Sequence, residues 1–281
     1  MSYRNIEAFL AKKTEQYLTW RKRRLLKKKA RQKHVHPVID WTLSILVIIV
    51  FVMLINMFLF QNYRIPSESM VPELLRDDLI FVEKVSFGPE ILPGAVKLPP
   101  LREPKRGEVV SFESDVYARE GPLIELCYRF VYFITLSLVN LKTDESNNVL
   151  KDLLIKRVIG TGGDRVRLYE NGPEILPAGE GAWLPEKPLL TQTGVSYTLV
   201  DRLYDEDKRA RFERSPMDSD YCSEWNKAEL GWYVPYGTFF PMGDNRPNSR
   251  DATVFGPVSL SRIQGKALFR FFPFARFGNI N

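Results

Sequence analysis

The chain has 281 residues, 40 Lys+Arg against 34 Asp+Glu, and only two histidines, for a formal charge of +6. The charge is uneven: residues 1–40 hold twelve Lys/Arg and three acids, a net of +9, which leaves −3 for the remainder. A basic body built to bind nucleic acid is therefore excluded, and no cluster of residues at metal-ligand spacing suggests a metal or other cofactor.

The basic run Arg21-Lys22-Arg23-Arg24 through Lys27-Lys28-Lys29 stands just ahead of an apolar segment, which fits an anionic lipid surface better than a polynucleotide. From Trp41 to Phe60 no residue is charged. At about 1.5 Å per residue such a helix is about 30 Å long and crosses a hydrocarbon core once. By the positive-inside rule residues 1–40 stay cytoplasmic and the chain from Gln61 onward lies outside. A cleaved leader would have a shorter apolar core followed by small residues, and no alanine occurs between Ala30 and Ala95, so the segment reads as an uncleaved anchor.

Behind the anchor, Tyr63-Arg64-Ile65-Pro66-Ser67-Glu68-Ser69-Met70-Val71-Pro72 reads as an extended or turning stretch that presents Ser69 on a rigid turn. The alternation in Asp77–Lys84 reads as a strand, and another follows the turn at Pro104–Glu108, at Val109–Phe112. Residues 122–141 form a second apolar run, broken by Glu125 and Arg129, that fits either an interfacial segment with Arg129 toward headgroups or a core element. Cys127 and Cys222 stand on the exported side, where a disulfide is chemically possible, and the sequence leaves their pairing open.

Leu153-Leu154-Ile155-Lys156-Arg157-Val158-Ile159 has the near-continuous apolar character of a strand buried on both faces. His34 and His36 both precede the anchor, so no imidazole is expected beside Ser69. A serine hydrolase there needs another base, and burial of Lys156 favours the neutral amine that could serve. Gly160-Thr161-Gly162-Gly163-Asp164 then reads as a turn, and Asn171-Gly172 as a tight hairpin. Residues 173–230 are polar and read as an insertion, after which Trp232–Met242 resumes the β core. The aromatic and cationic end, residues 269–277, fits either an interfacial segment or a last strand.

Taken together, four stretches in order resemble the bacterial type I signal peptidases. They are Pro66–Pro72, Lys105–Phe112, Ile155–Gly160 with Gly163-Asp164, and Gly243-Asp244-Asn245-Arg246 with Asn248, Ser249 and Asp251. The resemblance implies a mostly β fold: a single N-terminal transmembrane helix, then a signal-peptidase-like catalytic core with a smaller inserted domain. In these terms residues 1–40 are the leader, 41–60 the anchor, 61–172 and 231–281 the core, and 173–230 the insertion. It implies a membrane serine endopeptidase that cuts signal peptides from preproteins after small-x-small motifs, with Ser69 as nucleophile and Lys156 as general base. Ser67 would serve the oxyanion hole, Ser249 would orient the amine, and Asp244 would pair with Arg157. Asp251 supports the last motif, and Ile65, Pro66, Met70, Leu74 and Ile155 fall where the family builds pockets for small side chains. Implied surroundings are preprotein signal peptides, the phospholipid bilayer of the bacterial cytoplasmic membrane and the neighbourhood of the secretion translocon. A catalytically inactive anchored module that binds secretion partners is the competing class. A Ser-x-x-Lys acylase is excluded because Pro72 stands three residues after Ser69. Three positions depart from the family: Glu73 replaces threonine, Leu154 replaces tyrosine, and Thr253 replaces the arginine that pairs with the Asp251 position, leaving Arg250 as the expected partner.

Overall fold

A run rich in strong helix formers and a predominantly apolar one produce the first two elements, α1 (Tyr3–Gln32) and α2 (Pro37–Phe58). The computed structural model describes residues 3–32, 37–92, 96–114, 121–135, 139, 141, 153–169, 172–192, 197–199 and 231–280. It divides into two units, Met1–Met53 and Leu54–Asn281. Helix α2 opens on proline at its first position with Asp40 in the first turn, both suited to a helix start. Its segment Val38–Phe58 is 21 residues long with a mean hydropathy of 2.8, enough to cross a membrane. Compared with the expected Trp41–Phe60, the helix starts earlier and stops sooner, because Phe60 is already paired with Glu83 in the first strand.

Strands then follow in chain order: β1 (Phe60–Arg64), β2 (Leu79–Glu83), β3 (Glu90–Leu92), β4 (Val96–Lys97) and β5 (Val109–Glu113). After helix α3 (Pro122–Ile134) come β6 (Leu153–Thr161), β7 (Arg165–Tyr169), β8 (Gly172–Leu176), β9 (Leu184–Pro185) and helix α4 (Glu186–Gln192). The chain ends with β10 (Trp232–Tyr233), β11 (Thr238–Met242), helix α5 (Ala252–Phe255), β12 (Val258–Ser259), β13 (Ile263–Phe272) and β14 (Gly278–Asn279). The main sheet runs β1-β2-β13-β5-β6-β11-β12, with β14 paired to β13. A second sheet runs β10-β7-β8-β9, so it draws strands from both sides of residues 173–230.

Strand β6 is buried on both faces, as its composition dictates. Val158 packs with Phe87, Val110, Phe112 and Phe239, while Ile159 packs with Val166, Trp232, Val234 and Phe240. Ile155 instead leans on a third cluster built from Tyr63, Ile65, Met70, Leu74 and Ile80. The residues around β6 are therefore fixed by hydrocarbon on each side, which holds the lysine and arginine between them in one register.

The described part of the run at 122–141 holds helix α3, which has two characters. Its Glu125 is buried and Tyr132 packs against the third cluster, whereas Leu123, Ile124 and Ile134 are exposed. Arg129 does not reach outward: its Nη2 lies 2.6 Å from Glu90 Oε2, because a carboxylate is the stronger partner available to it. Cys127 is exposed on α3, and Cys222 lies outside the described residues. At the other end, residues 263–272 form a strand, and Phe272, Phe274 and Phe277 are exposed.

Candidate active site

Lys156 reaches the site from the middle of the main sheet. It is opposite Val110 of β5, and its neighbour Arg157 is opposite Met242 of β11. Ser69 comes from the turn after β1, where the Val71 amide donates to the Glu68 carbonyl at 3.1 Å and the Leu74 amide to the Met70 carbonyl at 2.9 Å. Two elements far apart in sequence thus meet: Lys156 Nζ donates to Ser69 Oγ at 2.5 Å. Lys156 is 3% exposed, and Ser69 is half-buried, so the serine keeps more contact with solvent than the lysine does. Ser67 Oγ lies 3.4 Å from Ser69 Oγ, on the same turn.

The stretch after β11 grips that turn from behind. The Asn245 amide donates to the Ser69 carbonyl at 3.0 Å, and Asn245 Nδ2 donates to the Glu68 carbonyl at 3.0 Å. Gly243 makes the approach possible: a Cβ there would stand 2.5 Å from the Ser69 carbonyl oxygen and 2.7 Å from Ser249 Cβ. Any side chain would push the two segments apart. Ser249 and the Ser69 carbonyl therefore share the space that a Gly243 side chain would take.

Arg157 and Asp244 lock β6 to the same stretch. Arg157 Nε donates to Asp244 Oδ1 at 2.8 Å and Nη2 to Oδ2 at 2.7 Å, with both side chains fully buried. Arg157 Nη1 also donates to the Gly107 carbonyl at 2.8 Å, which ties in the turn before β5. Burial alone would lower the guanidinium's pKa, but the hydrogen bonds and charge of Asp244 outweigh it and raise it above the ordinary value. Asp251 finds its partners in the Gly243 amide at 3.0 Å, the Thr253 amide at 3.2 Å and Thr253 Oγ1 at 2.7 Å. Thr253, the residue that departs from the expected arginine, supplies a hydroxyl in its place and lets Asp251 cap α5.

Of the residues expected to line a substrate pocket, Ile65, Met70 and Leu74 are buried together, Ile155 lies half-buried against their cluster, and Pro66 is exposed. Leu154 packs instead on the Phe87 and Val110 cluster. Several supporting residues carry no signal in the sequence reading. Tyr197 lies under the Arg157 guanidinium, 4.0 Å from ring centroid to Cζ, and its hydroxyl donates to Glu186 Oε1. Burial, then the Glu186 charge, raise the phenol's pKa far above its usual value. Glu186 also accepts from Arg246 Nη2 at 2.5 Å. At the other end, Arg270 Nη1 donates to the Glu73 carbonyl at 2.7 Å, and Arg276 Nη2 donates to the carbonyls of Pro72 at 3.2 Å and Glu73 at 3.1 Å. Arg276 also pairs with Asp78 at 2.9 Å. The one available sign was a pair of arginines set among phenylalanines, which equally fits a membrane interface.

A profile of the family described as signal peptidase, peptidase S26, matches residues 38–272, from α2 through β13. The chain belongs to this signal peptidase family. It is a serine endopeptidase of that type, and among the described residues one helix, near its N-terminus, is long and apolar enough to cross a membrane. The signal peptidase I of Aquifex aeolicus is 29% identical over 251 residues, covering 80% of this chain and 80% of that one. The signal peptidase I of Haemophilus influenzae is 26% identical over 273 residues, covering 86% of this chain and 71% of that one. A crystal structure of a signal peptidase I from Enterococcus faecalis aligns with a TM-score of 0.29 at 21% identity, covering 59% of this chain and 97% of that one.

Proposed function

We propose that the chain removes signal peptides from exported preproteins, with Ser69 as nucleophile and Lys156 as general base. The observation that carries this reading is the 2.5 Å contact between Lys156 Nζ and Ser69 Oγ, made by a buried lysine and a half-buried serine. With the amine neutral, Lys156 takes the Ser69 proton as Oγ attacks the scissile carbonyl. The oxyanion that forms is held by the Ser67 hydroxyl and the Ser69 backbone N–H. The C–N bond then breaks as the ammonium returns its proton to the leaving amine. Water attacks the ester, Lys156 takes its proton, and the proton passes to Ser69 Oγ as the acid departs. Ser249 positions the amine, and the pairs of Asp244 with Arg157 and Asp251 with Thr253 hold the motif that carries Ser249.

Ile65, Pro66, Met70, Leu74 and Ile155 form shallow pockets that accept small side chains at the first and third residues before the cut. In this reading the basic leader is cytoplasmic, the span Val38–Phe58 is the anchor, and the core that begins with β1, with its insertion 173–230, lies outside the cytoplasmic membrane. The basic leader meets anionic headgroups, and the site works beside the translocon, where the substrate's own apolar segment arrives. Neither nucleic acid nor a cofactor takes part.

The test is cleavage of a synthetic preprotein by the purified full-length chain in detergent, with the product's new N-terminus sequenced. A cut after a small-x-small motif, lost in Ser69→Ala, is expected. Undiminished cleavage by Ser69→Ala would overturn the assignment.

A further inference from the structure

Strand β1 ends the main sheet, so one of its two edges has no strand beside it among the described residues. At Ile65 the chain bonds toward β2: its amide donates to the Asp78 carbonyl at 2.9 Å and its carbonyl accepts from the Asp77 amide at 2.8 Å. Alternation along an extended chain then aims the preceding amide, that of Arg64, at the open edge. Such an edge is where an extended peptide adds as a further strand. Here the Arg64 amide is already engaged, donating to Tyr132 Oη at 3.2 Å.

Tyr132 belongs to α3, within residues 114–152, which connect β5 to β6. These are adjacent antiparallel strands, paired at Glu113 and Leu153, and a turn of a few residues would join them. The helix is therefore an addition to the sheet, and the 2.6 Å pair of Arg129 with Glu90 fastens it there. Its Tyr132 ring packs, half-buried, on the cluster of Tyr63, Ile65, Met70 and Leu74, in company with Leu153 and Ile155. That cluster backs directly onto the Ser69 turn through Met70.

We infer that Tyr132 is a specificity-determining residue: its ring walls the groove where the third residue before the cut faces the Ile65 and Ile155 surface, and its hydroxyl ends strand addition at Arg64. The inference rests on the Ser69 and Lys156 reading, which sets substrate beside these residues. In an extended substrate the first and third residues before the cut share a face, about 7 Å apart. The first lies at Ser69, so the third is the one that meets a wall farther along the turn. A tyrosine there leaves room for a methyl group and opposes a branched side chain.

The test uses the full-length protein and a peptide panel with Ala, Val or Leu at the third residue, and separately at the first residue, before the cut. In Tyr132→Ala the kcat/KM preference for Ala over Leu at the third residue is expected to fall about tenfold or more, with the first-residue preference unchanged. Tyr132→Phe keeps the ring and is expected to keep the third-residue preference. Should Tyr132→Ala fail to fold, Tyr132→Leu, which retains apolar packing at a shorter reach, gives the same readout in the same direction. A third-residue preference equal to wild type in the folded Ala or Leu variant overturns the inference and leaves the dyad reading standing. Cleavage surviving in Ser69→Ala in the same assay instead removes the reading on which the inference rests.

Discussion

Lys84 and Lys156 are both buried, 1% and 3% exposed, yet one donates to an amide oxygen and the other to a hydroxyl. Lys84 follows β2 and donates to Gln61 Oε1 at 2.7 Å; Lys156 sits within β6 and donates to Ser69 Oγ at 2.5 Å. Burial, followed by the nearby Arg129 charge, lowers the Lys84 pKa to about 7 against the pull of Glu90. A neutral Lys84 would still have no substrate, since an amide oxygen has no proton to give. A lysine's burial therefore does not identify a base. The partner does, together with an opening on the partner's far side.

Two substitutions sharpen this contrast. The larger effect is expected at the anchor of the Lys156 strand. Asp244→Ala leaves the Arg157 guanidinium buried without its carboxylate, a loss of about 3–5 kcal/mol in stability. Thermal unfolding of the purified protein measures it, and the double variant Arg157→Met with Asp244→Leu is expected to regain most of the loss, since no charge is then stranded.

The smaller effect concerns Lys84 and its sign follows from proton uptake. Between pH about 7 and 10.5 the folded chain holds Lys84 largely neutral, while the unfolded chain holds it charged. The unfolded state then binds more protons, so this group makes stability rise with pH across that window by about 1.4 kcal/mol per unit, and contributes no slope below it. Lys84→Met removes that slope. The stability difference between wild type and Lys84→Met, followed by thermal unfolding from pH 7 to 9, is expected to shift in favour of wild type as pH rises. A difference independent of pH would contradict the burial of a titrating amine there.

Much of the site was legible because its chemistry uses rare residue types in short motifs. Ser69, Lys156, Arg157 and Asp244 could be named from the chain, and the strand carrying Lys156 announced itself by apolar residues on both faces. What stayed hidden depends on contacts between distant segments. Composition marks Lys84 as an ordinary lysine after a strand, because nothing local says that Gln61 and α3 will cover it. The run at 122–141 is apolar enough for several fates, and the Arg129 pair with Glu90 that fixes one of them joins residues 39 apart in sequence. Arg270 and Arg276 read as interfacial cations because their acceptors, the backbone carbonyls at Pro72 and Glu73 and the Asp78 carboxylate, lie about 200 residues away in sequence. The second sheet is a further case: β7 and β10 flank the polar stretch and pair with each other across it.

The central claim is that Lys156, and not burial of a lysine as such, makes Ser69 reactive. The direct measurement is kcat/KM for one preprotein peptide with Lys156→Met and Lys84→Met, each purified as the full-length folded chain. The account predicts a loss of at least about a thousandfold for Lys156→Met, in the range of removing a general base together with its nucleophile's activation, and activity within about threefold of wild type for Lys84→Met. Turnover near wild type in Lys156→Met would contradict it.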